Sequence, residues 1–194
     1  MANKINNLIE FVSFTHDIRK IKRAMWVLHE EQFENDSEHG YQLALVALYI
    51  IEENKLSLDP FRSMGLAIVH DVLEVHAGDT PVYGSQGDLA SRDEREKAAL
   101  ARLKEDWPKM QLMHQLIDEY ETKSSPEAKF VYALDKLVPM VNNYLDKGRS
   151  WKRQNVRLEH VVSVKAGKID IDPTINKYYR DILKLLKEKP ELFS

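Results

Sequence analysis

The 194-residue chain contains no cysteine, so neither a disulfide framework nor a thiolate metal site is available to it. Glycine is scarce, at seven residues, and no segment sustains the apolar/polar alternation of a half-buried strand. Long hydrophobic runs are missing too, and none approaches the length of a membrane span. The opening Met1 to Asn6 has no long apolar run behind its charge, which argues against a secretory leader. Charge of one sign is not in excess either, with 28 Lys and Arg against 31 Asp and Glu. A formal net charge of -3 argues against nucleic acid as the main partner, since binding a phosphate backbone calls for a basic surface. A small basic pocket for one phosphate stays compatible with it. Cytoplasmic residence, with no membrane partner, is the expectation.

Hydrophobic residues make up 43% and charged residues 30%, ordinary values for a globular domain. The length fits one domain over 1-194, with no internal repeat, low-complexity tract or linker. The pattern predicts an all-α fold, a single helical bundle. Ile5, Leu8, Ile9 and Val12, and later Ile18 and Ile21, outline a first amphipathic stretch interrupted near Thr15. A second comes after Asp36-Ser37, read as its cap, and runs to about Asn54. Asp59-Pro60 reads as an N-cap followed by proline at the first helical position, opening a helix through His70 and Asp71. Residues 78-89 read as an irregular loop, and Ser91 to Glu94 as a capping box. Further helices are expected from Pro108 to about Lys123 and from Ser125-Pro126, the latter kinked or ended by Pro139. The basic tract from Asp146 to Asn155 reads as a solvated turn, and C-terminal helices are expected over about 156-190.

The chemistry concentrates in His39, His70-Asp71 and Asp135, which can close on one metal ion. An adjacent His-Asp pair among Ala67, Ile68, Val69, Val72 and Leu73 is costly to bury unless a cation compensates the carboxylate. His16, His29, His76, His114 and His160 lack such company and read as structural or solvated. Glu74 lies four residues after His70 and three after Asp71, so on a helix it shares their face without having to be a ligand. Two imidazoles and two carboxylates suit one divalent ion such as Co, Mn, Zn, Fe or Ni.

Three stretches then carry a resemblance: Ser37 to His39, His70 to Pro81, and Glu119 to Lys136. Together they are similar to the HD-domain metal-dependent phosphohydrolases, and among these to the 5'-deoxynucleotidases, over about residues 8-145. The resemblance implies metal ligation by His39, His70, Asp71 and Asp135. It also implies catalysis by Glu74, a sugar contact from Asp79, and a substrate site completed by Arg23 and Trp26. Arg23 and Trp26 are separated here by Ala24 and Met25, whereas the bacterial enzymes have the pair adjacent. The activity implied by the resemblance is hydrolysis of a deoxyribonucleoside 5'-monophosphate to a deoxynucleoside and phosphate, by a protein expected to form a homodimer. The alternatives are an HD-type phosphodiesterase of other nucleotides, or an inactive metal-binding helical module; the presence of Glu74 weighs against the second.

Overall fold

The computed structural model describes residues 4-78 and 92-194, with the side chains of Arg92 and Asp93 excepted. Asp79, most of the expected 78-89 loop, and Ser91 of the expected capping box lie outside the described residues. Helices dominate: α1 (Lys4–Ile18), α2 (Asp36–Asn54), α3 (Pro60–Val69), the short α4 (Glu74–Ala77), α5 (Arg92–Asp106), α6 (Gln111–Thr122), α7 (Pro126–Leu145), the short α8 (Arg149–Arg153), α9 (Leu158–Ile169) and α10 (Pro173–Lys187), before a 3-10 turn at Pro190–Leu192. Between α1 and α2 the strands β1 (Lys22–Trp26) and β2 (Phe33–Asn35) pair antiparallel, Lys22 opposite Asn35 and Trp26 opposite Phe33, with a bulge between.

Helix α7 is the hub. It packs against α2, α3, α6, α9 and α10, and Phe130, Val131, Ala133 and Leu134 on it are wholly buried. Burial of that kind is the main favourable term in folding. On α10, Ile175, Tyr179, Ile182 and Leu186 are buried at intervals of three and four residues, which lays one apolar stripe onto the hub. A second cluster, around Phe14, Val72, Leu73, Leu103, Met113 and Ile117, joins α1, α5 and α6 to the segment carrying Glu74.

Several local expectations hold. Asp59 accepts hydrogen bonds from the Phe61 and Arg62 N–H groups, with Pro60 at the first helical position. Ser125 caps α7 through Ala128 N–H, and α2 and α10 lie where the pattern places them. Other boundaries shift. The cap of α2 is Asn35, in a reciprocal box with Glu38, which leaves Asp36 inside the helix. Helix α1 is continuous through Thr15, whose hydroxyl donates back to the Val12 carbonyl. Helix α6 begins at Gln111 rather than Pro108, after a turn in which Met110 N–H bonds the Trp107 carbonyl. Pro139 neither ends nor breaks α7, which runs on to Leu145; tertiary packing of the surrounding helices outweighs the one main-chain bond a proline removes.

Two corrections bear on the site. The stretch carrying Arg23 and Trp26 is a strand in a fold expected to be all-α, because long-range partners outweigh local periodicity: Arg23 reaches carboxylates on β2, α2 and beyond α3, while Trp26 stacks on Phe33 at 4.3 Å. The tract 146-155 is no solvated turn either. It contains α8, with Ser150 and Trp151 buried, and Ser150 Oγ accepts from Trp26 N–H at 3.0 Å. Arg149 donates to the carbonyls of Val27 and Glu30. Gly148 starts this helix at φ +71, with the Leu192 carbonyl so near that a Cβ would sit 1.9 Å from its oxygen; glycine alone fits that corner.

Candidate metal centre

Three elements deliver the site. Helix α2 carries His39, the end of α3 carries His70, and α7 carries Asp135, all buried. Their ligand-type atoms lie within 4.8 Å of one another, so the three could hold a metal ion. His39 Nε2 is 3.0 Å and His70 Nε2 3.7 Å from the same Asp135 oxygen, Oδ1. The other oxygen, Oδ2, accepts from the Tyr120 hydroxyl at 3.1 Å and from the Lys136 ammonium.

The His-Asp pair does not sit inside a continuous α-helix. Helix α3 stops at Val69, and residues 70-73 continue as tight turns in which Val72 N–H bonds Val69 O and Glu74 N–H bonds Asp71 O. The cause is local: His70 Nδ1–H bonds the Ala67 carbonyl at 2.8 Å, the acceptor Asp71 N–H would use to prolong the helix. That bond fixes the imidazole with Nε2 aimed inward, the usual arrangement behind a metal-ligating histidine. Asp71 Oδ2 lies 2.9 Å from His70 Nε2, yet Nε2 makes no aligned hydrogen bond and neither does the buried His39 Nδ1. Buried polar atoms normally find partners. Two imidazoles and carboxylates whose donor atoms converge without bonding fully to each other fit a divalent cation.

The electrostatics agree. Burial pushes the His39 imidazole down, Arg23 pushes it further, and its pKa falls to about 4. For His70, burial also favours the neutral ring, but Asp71 and Asp135 outweigh it and hold the pKa up at about 10. The rings are 5.3 Å apart, so charging one opposes charging the other. Burial lifts the Glu34 carboxyl to about 7 against the pull of Arg23. Asp71 and Asp135 are both held below the usual carboxylate range despite burial, Asp71 chiefly by His70 and Arg23, Asp135 chiefly by Lys136 and the two neighbouring histidines.

Arg23 does reach this centre. Its Nη1 is 2.5 Å from Asp71 Oδ2 and 3.2 Å from Asp36 Oδ1, and its Nε is 3.4 Å from Glu34. The Trp26 ring lies against Phe33, with Arg149 and Arg153 over it at 5.3 and 5.5 Å. Glu74 opens α4 and lines a cavity of about 270 Å³ together with His70 and Asp71. Tyr120, Lys136 and Glu34 join the site without a signal in the sequence pattern. Tyr120 and Lys136 stand within the family-like stretch, but no spacing rule points them at Asp135; Glu34 arrives through strand pairing.

Lys165 of α9 is also buried, and burial together with Lys136 lowers its pKa to about 7 against the attraction of Asp135, with Lys168 and Arg23 adding repulsion. A lysine whose folded pKa lies below its unfolded value is protonated in the unfolded chain and largely neutral in the native one between those values. Native stability therefore rises with pH across that window, and the cost of burying the lysine is fully present below about pH 7. Lys165→Met is expected to raise stability at neutral pH by on the order of a few kcal/mol, an advantage that shrinks as pH rises from 7 toward 10. Urea unfolding of both proteins at several pH values checks this; a pH-independent difference would count against it.

An HD-domain family model matches residues 15–175. The chain is 34% identical over 137 residues to the 5'-deoxynucleotidase HDDC2 of Danio rerio, covering 69% of this chain and 66% of that protein. It is 35% identical over 134 residues to the human 5'-deoxynucleotidase HDDC2, covering 67% and 63%. The matched region thus spans just under two thirds of the length of these curated relatives. Among solved structures, a predicted metal-dependent phosphohydrolase from Magnetospirillum magnetotacticum MS-1 superposes with a TM-score of 0.83 at 25% identity, covering 98% of this chain and 96% of that one.

Proposed function

This chain belongs to the HD-domain family, and from that premise we propose that it is a metal-dependent 5'-deoxynucleotidase, releasing phosphate from deoxyribonucleoside 5'-monophosphates. The observation that carries the reading is the buried convergence of His39, His70 and Asp135, with His70 in the wall of a cavity that also presents Asp71 and Glu74. The likeness to the two 5'-deoxynucleotidases supports the substrate class.

In this reading His39, His70, Asp71 and Asp135 hold one divalent ion, of the Co, Mn, Zn, Fe or Ni kind, for which their mixed imidazole and carboxylate donors are suited. Such an ion, when bound, makes water more acidic, polarises the phosphoryl group and offsets charge on the leaving oxygen. The chain's own groups do the rest. Asp71 is steered by Arg23, and Asp135 is held by Tyr120 and Lys136. Glu74 moves the proton, either from the attacking water or to the departing 5'-oxygen. Arg23 supplies forked donors suited to a phosphate at the edge of the same centre, and Asp79 accepts a bond from the sugar 3'-hydroxyl. Trp26 belongs to the sugar-discriminating side of the site by resemblance.

Free phosphate release from a nucleotide panel tests this. dAMP should be cleaved much faster than AMP, and 3'-AMP should be nearly inert, because a site built to bond a hydroxyl rejects an analogue that presents a different group there. Trp26→Ala should narrow the gap between dAMP and AMP mainly by improving AMP. Equal rates on AMP and dAMP would remove the deoxy preference while leaving phosphohydrolysis standing.

A homodimer belongs to the same proposal. Tyr41, Leu45 and Tyr49 on α2 and Val141 and Leu145 on α7 are exposed, apolar positions that a second copy of the chain would cover. Light scattering on the purified protein decides the subunit number. Among the described residues no helix is long and apolar enough to cross a membrane, and turnover of free nucleotides is chemistry of the cytoplasm, which we propose as the compartment.

A further inference from the structure

The cavity beside the centre is lined by Glu74 and Lys136, and Arg23 is not part of its wall. Arg23 is turned onto Asp71, Asp36 and Glu34, with its side chain 17% exposed. Among the described residues Arg95, Lys123, Lys136 and Lys168 line that cavity, and of these Lys136 is next in sequence to a converging ligand. Its ammonium bonds Asp135 Oδ2, while Oδ1 of the same carboxylate faces both imidazoles. The ammonium is thus one carboxylate's width from the point where the imidazoles meet. Tyr132, one turn earlier on α7, lies under it with the ring centroid 5.0 Å away, and under Lys123 at 4.4 Å. A ring face in that position restrains the lysine stem and favours its charge.

The bond to Asp135 does not by itself account for Lys136, because the Tyr120 hydroxyl already donates to the same oxygen. Building on the phosphohydrolase reading above, we propose that Lys136 is a catalytic residue that contacts the phosphate of the substrate and later the released orthophosphate. A dianion seated at the centre meets Glu74 and Lys136 along one cavity wall. Lysine suits this task as a compact charge able to shift between the Asp135 carboxylate and a phosphate oxygen.

The test uses the full-length protein loaded with Mn(II), and it reads metal content, orthophosphate binding by calorimetry, and KM and kcat for dAMP. Lys136→Gln keeps a donor for Asp135 and removes the charge. It should retain the metal, weaken orthophosphate binding by roughly tenfold or more, the scale of a charge-assisted hydrogen bond, and raise KM for dAMP. Lys136→Arg should recover most of the orthophosphate affinity. Unchanged orthophosphate binding in Lys136→Gln overturns the proposal. Loss of metal in Lys136→Gln also overturns it, because the lysine would then serve only to hold Asp135. Orthophosphate binding needs no turnover, so a parent protein that binds phosphate through Lys136 yet leaves dAMP intact would defeat the nucleotide assignment and not the role of the lysine.

Discussion

Asp135→Ala is expected to reduce phosphate release to background and to leave the protein unable to retain a stoichiometric divalent ion. One carboxylate serves four neighbours here: Oδ1 faces His39 and His70, and Oδ2 accepts from Tyr120 and Lys136. Removing it deletes a proposed ligand and leaves the Lys136 ammonium without its anionic partner in a buried setting. Breaking a buried pair by taking one member typically costs about 3–5 kcal/mol, so the melting temperature should drop as well. The parent protein should gain stability on adding metal, since a ligand bound only by the native state stabilises it, and Asp135→Ala should not. Full metal occupancy in that variant would remove Asp135 from the ligand set.

Glu74→Ala is expected to behave differently. It should keep the metal and the fold, and lose turnover by roughly a hundredfold or more, the usual contribution of a positioned acid or base. Its carboxylate lines the cavity from the first residue of α4, while the converging cluster is complete without it. Metal content and rate on a single preparation separate the two roles. A Glu74 variant that sheds metal would make it a ligand.

How the chain encodes the centre differs from residue to residue. The His70-Asp71 pair is legible in the sequence because a carboxylate amid Ala67, Ile68, Val69, Val72 and Leu73 is costly to bury without a cation, and His39 and Asp135 join it through the resemblance. The caps at Asp59 and Ser125 are legible because a single side chain and its next few N–H groups decide them. Arg23 is legible only through resemblance: its strand exists because of Asp36, Asp71 and Phe33, partners from elsewhere in the chain that no local period reveals. The same holds for 146-155, whose charge suggests a solvated turn, although Trp151 is buried and Arg149 bonds main-chain carbonyls of the β1–β2 connection. The end of α3 escapes the sequence for a finer reason, the competition of the His70 ring for the Ala67 carbonyl. A side chain proposed as a metal ligand thereby sets the backbone that aims it.

If the buried imidazoles and carboxylates form a metal-dependent phosphatase centre for deoxynucleotides, phosphate release from dAMP must depend on bound metal. The most direct test measures that release on one preparation as purified, after exhaustive chelation, and after stepwise return of Mn(II) or Co(II), with bound metal counted at each stage. The expected result is activity that vanishes on chelation and returns in proportion to occupancy, reaching its plateau at one ion per chain. Undiminished hydrolysis by protein shown to be metal-free, or no hydrolysis at full occupancy, would contradict the account.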